Sequence, residues 1–115
     1  MNTIESQTEK RKHARISLFI PFSLMLDGEQ HAGLTGNISL GGVYLHTISP
    51  PLQQSQLAKI AEITLNLDSI TVTTDCRIVY IGGGAIPHPQ GVGVAFENIG
   101  DETISTLREF ILAKL

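Results

Sequence analysis

Arg15-Ile16-Ser17-Leu18-Phe19-Ile20-Pro21-Phe22-Ser23-Leu24-Met25-Leu26 is the stretch on which the reading of the fold turns. Every even position is a large apolar residue, while the odd positions carry Arg15, two serines, Phe19, Pro21 and Met25. Period two over this length predicts a long strand with one face in a core. Pro21 has no N–H for a ladder, so the spacing also predicts an edge or a bulge there. Asp27-Gly28 follows as a hairpin turn, returning a second strand from about Gln30 to Gly36.

The same alternation recurs downstream. Val43 to Ile48 reads as a short strand ended by Ser49-Pro50-Pro51. Ala61, Ile63, Leu65 and Leu67 mark the inner face of another. After a turn at Asp68-Ser69, residues Ile70, Val72, Thr74, Cys76, Ile78 and Tyr80 are expected to share one inward face. Gly82-Gly83-Gly84 and Pro87-His88-Pro89 form a long hairpin loop, and Gly91 to Glu97 is a sixth strand with Val92, Val94 and Phe96 inward. The period then changes: Ile104, Leu107, Ile111 and Leu115, with Leu112 beside them, predict an amphipathic helix. Asp101 is its expected N-cap, and Phe110 lies off its stripe, open to the barrel or to a second subunit. Six strands with one apolar face each bury that face best by closing on themselves. The prediction is an all-β protein: a six-stranded antiparallel (split) β-barrel, a C-terminal α-helix over one end, and a flexible N-terminal arm of residues 1–9 before a domain at 10–115.

Charge is distributed unevenly. Four of the eight basic residues fall within Lys10-Arg11-Lys12-His13-Ala14-Arg15, whereas all eleven acidic residues lie outside it. A basic arm on an acidic body predicts a local anion site rather than a broad basic surface. Nucleic-acid polymers fit poorly, because aromatics are only 5% of the chain and no stacking surface is legible in the sequence. His13, His31, His46 and His88 sit singly, and the one cysteine, Cys76, falls on an apolar parity, so neither a metal centre nor a catalytic thiol is expected. No nucleophile elbow or phosphate-binding lysine loop is present, which argues against an enzyme. The N-terminus lacks the apolar core of a secretory signal and no run approaches a membrane span, so the expected location is the cytoplasm.

Asn37-Ile38-Ser39-Leu40-Gly41-Gly42 carries the chemistry. Taken alone it reads as an ordinary loop, yet on extended backbone Asn37 and Ser39 point the same way while Ile38 points to the core. The glycine pair permits positive φ and close backbone approach. Arg11-x-x-x-Arg15 before the first strand, with Asn37-x-Ser39-x-x-Gly42 after the second, resembles the paired RxxxR and D/N-x-S-x-x-G signature of the PilZ domain family. Gly91 to Phe96 looks like that family's last strand, and the resemblance runs from Lys10 to Leu115. It implies a cyclic di-GMP receptor that relays its signal to a protein partner. The ligand-binding residues it implies are Arg11, Arg15, Asn37, Ser39 and Gly42, with Lys10, Lys12, Gly41 and Tyr80 as further contacts. No cofactor and no metal are implied. The alternative within the family is an interaction scaffold that binds no nucleotide.

Overall fold

The alternation of residues 15–26 folds as two strands rather than one. The computed structural model describes residues 15–83 and 90–115. They form β1 (Arg15–Ser17), β2 (Pro21–Leu26), β3 (Glu29–Ser39), β4 (Gly42–Leu45), a single 3-10 turn at Gln54–Gln56, β5 (Ile60–Leu67), β6 (Ile70–Gly82), β7 (Gly91–Glu97) and α1 (Asp101–Lys114). Strands pair in the order β1-β3-β2-β5-β6-β7-β4, and β4 also pairs with β3. That last pairing closes β2 to β7 into a six-stranded antiparallel barrel with β1 as one extra strand on β3.

β1 and β2 run along the same edge of β3, with Arg15 opposite Ser39, Ser17 opposite Asn37, and Pro21 opposite Leu34. From Ser17 to Pro21 the chain takes four steps while β3 takes three, so one residue is extra and the ladder bulges. Thr35, fully buried, threads the gap. Its hydroxyl donates to the Leu18 carbonyl at 2.6 Å and accepts from the Ile20 N–H at 3.0 Å, satisfying both groups. Pro21 then opens β2 and lies exposed. The turn that follows has positive φ at both Asp27 (54°) and Gly28 (78°), the twist a two-residue hairpin needs.

Other boundaries also differ from the sequence reading. β3 runs to Ser39 rather than Gly36, so Asn37 and Ser39 lie on a strand and only Leu40 and Gly41 make the turn. β4 stops at Leu45 instead of Ile48. In β6 the inward face does not reach Tyr80. Ile78 faces Val94 and Tyr80 faces Gly93, so β6 carries one extra residue, and the bulge returns the inward parity to Ile81. Tyr80 and Val79 are both exposed, at 54% and 52%. Ile70, at the strand's start, also faces solvent.

The barrel interior is filled by residues such as Leu24, Ile38, Leu45, Ile63, Ile78 and Val92. α1 rests against β1 and β6 and inserts Leu107 and Ile111. Leu112 and Leu115 do not join that face and are exposed, whereas Phe110 packs partly against the core. Asp101 is the first helical residue and Gly100 the N-cap, without a side-chain cap bond; Asp101 and Glu102 still meet the positive end of the dipole. Lys114, in the last turn, pairs with Asp68 at 3.2 Å and lies 5.3 Å from the centre of the Phe110 ring. His31, buried in the barrel, is held by its Nδ1 at 2.6 Å from the Pro50 carbonyl. No helix among the described residues is long and apolar enough to cross a membrane.

A candidate ligand groove on the barrel wall

Cross-strand pairing brings the two sequence motifs together. Arg15 is the Cα partner of Ser39, and Ser17 of Asn37, across the β1–β3 ladder. Ile16 and Ile38 are buried, so Arg15, Asn37 and Ser39 share the outer face, as their parity requires. On the far edge of β3, Asn37 is the partner of Tyr44 in β4, and Tyr44 in turn faces Gly93 in β7. The result is an open groove of about 250 Å³ lined by Arg15, Asn37, Ser39, Gly42, Tyr44, Val79 and Gly93, with Val43 and Val94 beneath. Arg15 is its one charged lining residue among the described residues, and its guanidinium favours an anion there.

The individual groups are not equivalent. The Ser39 hydroxyl accepts from the N–H groups of Gly41 (3.1 Å) and Gly42 (3.2 Å) and donates to the Gly42 carbonyl (3.2 Å). It therefore closes the β3–β4 turn. Gly42 has no positive φ, contrary to the sequence expectation. A Cβ there would lie 2.1 Å from the Val94 carbonyl oxygen and 3.1 Å from the Ala95 Cα. Its close approach is to the backbone of β7, where β4 and β7 join. Asn37, by contrast, makes no side-chain hydrogen bond among the described residues, and the Arg15 guanidinium forms no ion pair among them.

Lys10, Arg11, Lys12 and His13 lie outside the described residues, as do the 1–9 arm, Gly84 and His88. Tyr80 is exposed on β6 beside the groove, with its Cβ next to Gly93. Tyr44 and Val79 were not singled out by sequence reasoning. The available signal was the Val43-Tyr44-Leu45 alternation, which sets Tyr44 outward on the strand next to Asn37.

A second groove of about 280 Å³ runs between α1 and the β5–β6 turn, lined by Asp68 and Glu109 among others. Its carboxylates oppose an anionic ligand. Among the described residues no group of three or more His, Cys, Asp or Glu side chains is placed to hold a metal ion. Burial pushes the Cys76 thiol up to about 12, with Asp75 adding to the effect, so this cysteine is protonated and inert.

A closed antiparallel barrel with one capping helix and a cation-bearing groove across β1, β3, β4 and β7 places the chain in the class of small antiparallel β-barrels. The sequence matches the family model of the PilZ domain over residues 9–113, and the chain belongs to that family. No curated protein sequence matches it significantly. Among solved structures, the chain resembles the Bacillus subtilis inhibitor of motility MotI/DgrA with a TM-score of 0.78 at 14% identity, over 91% of this chain and 50% of that one. This chain thus spans about half the length of the Bacillus protein. The PilZ domain of Escherichia coli YcgR with c-di-GMP aligns with a TM-score of 0.72 at 16% identity, over 90% of both chains. YcgR in complex with c-di-GMP gives 0.73 at 19%, over 91% of this chain and 46% of that one. At these identities the likeness is one of fold.

Proposed function

We propose that this PilZ domain, spanning residues 10–115, is a non-enzymatic receptor for cyclic di-GMP that passes the ligand's presence to a protein partner. The observation that carries the reading is the convergence of Arg15, Asn37, Ser39 and Gly42, separated in sequence, on one groove whose lining includes the Arg15 cation. Two related structures that were solved with c-di-GMP share the fold and support the ligand's identity.

The division of labour follows from chemistry. Arg15 presents a planar fork that bonds guanine O6 and N7 bidentately or pairs a phosphate. Arg11 supplies the second fork of the motif, and Lys10 and Lys12 add positive field. Asn37 offers one acceptor and one donor to a guanine edge or to the backbone carrying Arg11. Ser39 and Gly42 hold the turn that fixes Asn37, and Gly41 presents backbone to the ligand. Affinity depends on several charge-assisted bonds acting together, because immobilising backbone on a ligand costs roughly 1–2 kcal/mol per residue.

Calorimetric titration with cyclic di-GMP tests this. Replacing Arg15 or Arg11 by Ala should cost about 2–3 kcal/mol, a loss of ~30–150-fold in affinity. Native-like affinity in both folded variants would sink the assignment.

A further inference from the structure

Tyr44 is built into the groove in a way that the two motifs do not explain. It projects from β4 between Asn37 on β3 and Gly93 on β7. Apart from its partner Asn37, two positions that the ring approaches on the neighbouring strands, Gly36 and Gly91, are glycines. A Cβ at Gly36 would come within 3.2 Å of the ring's Cδ2, and a Cβ at Gly91 within 1.8 Å of its hydroxyl oxygen. Gly91 lies two residues along β7 from Tyr44's direct partner, so the ring leans diagonally across the sheet instead of standing off it. A side chain at Gly91 would displace the ring, and one at Gly36 would crowd it. Glycine inside a strand weakens that strand, so clearing this space has a cost to the fold.

β6 repeats the pattern. The Tyr80 ring leans over Gly82, where a Cβ would lie 2.0 Å from its hydroxyl oxygen, and Gly82 is the cross-strand partner of Gly91. The two phenols therefore lie towards the same glycine pair from opposite sides of β7. One face of Tyr44 is turned to the sheet, and the residue is half-buried, leaving the other side on the groove beside Asn37. Its hydroxyl makes no hydrogen bond among the described residues, so the geometry is set by the ring and not by the polar tip.

We infer that Tyr44 is a stacking platform for a purine base and a specificity-determining residue of the groove. A planar ring laid on a glycine floor, beside an amide that bonds base edges and a guanidinium that takes phosphate, matches the base face, base edge and phosphate of a purine nucleotide. The inference rests on the cyclic di-GMP reading and adds to it the surface against which one guanine packs. Stacking uses the face of the ring, so phenylalanine should serve and an aliphatic side chain should not.

Calorimetry with cyclic di-GMP on the native chain, Tyr44→Phe and Tyr44→Leu separates these cases, with denaturation curves as folding controls. Tyr44→Phe should bind within about threefold of native and Tyr44→Leu about tenfold more weakly. A second readout follows from composition: the chain has no tryptophan and two tyrosines. Its tyrosine emission, corrected for ligand absorbance, should fall on binding, and Tyr44→Phe should bind with less quenching. Tyr44→Leu binding as tightly as native, with undiminished quenching in Tyr44→Phe, overturns the platform and leaves the cyclic di-GMP reading standing. Failure of the native chain to bind overturns both.

Discussion

Replacing Thr35 by Val removes one hydroxyl from the barrel while leaving the side chain's shape nearly unchanged. That hydroxyl serves two backbone groups of the β1–β2 bulge, the Leu18 carbonyl and the Ile20 N–H. Ile20 is buried, so its N–H loses the partner with no water to replace it. A buried donor left unsatisfied costs about 1–3 kcal/mol. Leu18 is only half-buried, so its carbonyl recovers part of its bonding from solvent. Together the loss should come to about 2–3 kcal/mol, which for a domain of this size lowers Tm by roughly 10 °C. Urea denaturation of native, Thr35→Val and Thr35→Ser measures it. The serine variant keeps both bonds and loses only a methyl, so it should lie within about 1 kcal/mol of native. A Thr35→Val variant within ~0.5 kcal/mol of native would refute the bulge account, since no buried bond would then have been broken.

Gly42→Ala should destabilise the barrel by about 1–3 kcal/mol or more, because its new methyl meets the backbone of β7 rather than a movable side chain; denaturation curves matching native would show that the strands separate freely there. Cys76 should resist alkylation at pH 8 in the folded protein and react once the chain is unfolded in urea, since its thiol is pushed up to about 12. The same shift sets a pH dependence. Between pH 9 and 12 the unfolded chain releases a thiol proton that the folded chain keeps, so stability falls as pH rises, and Cys76→Ala should remove that part of the slope.

The barrel was legible because its strands are amphipathic. Period two along residues 15–26, 61–67 and 91–97 reports which side chains are buried, and those faces are the ones observed. The breaks in register were not, two of them deciding which residues turn inward. Each is a one-residue register shift whose evidence lies on the partner strand: Thr35 for the break before Pro21, and the Val94–Gly93 step for the break after Ile78. Misreading the second sent Tyr80 into the core on parity, whereas Ile81 takes that place. The helix is legible from its period, but the exposure of Leu112 and Leu115 is not, because an apolar stripe does not say how far the barrel wall extends.

The site divided in the same way. Asn37 and Ser39 could be placed on one face from their spacing alone, and pairing adds Arg15 to that face. Alternation sets Tyr44 outward, but its closeness to Gly91, far along the chain, appears only once β4 pairs with β7.

Amide chemical-shift mapping during titration with cyclic di-GMP tests the central claim most directly. The account predicts the largest changes at Arg15, Asn37, Ser39, Gly42, Tyr44 and Gly93, which line the groove, with little change at Asp68, Glu109 and Phe110 beside α1. No change at saturating ligand, or changes centred on the α1 groove, would contradict it.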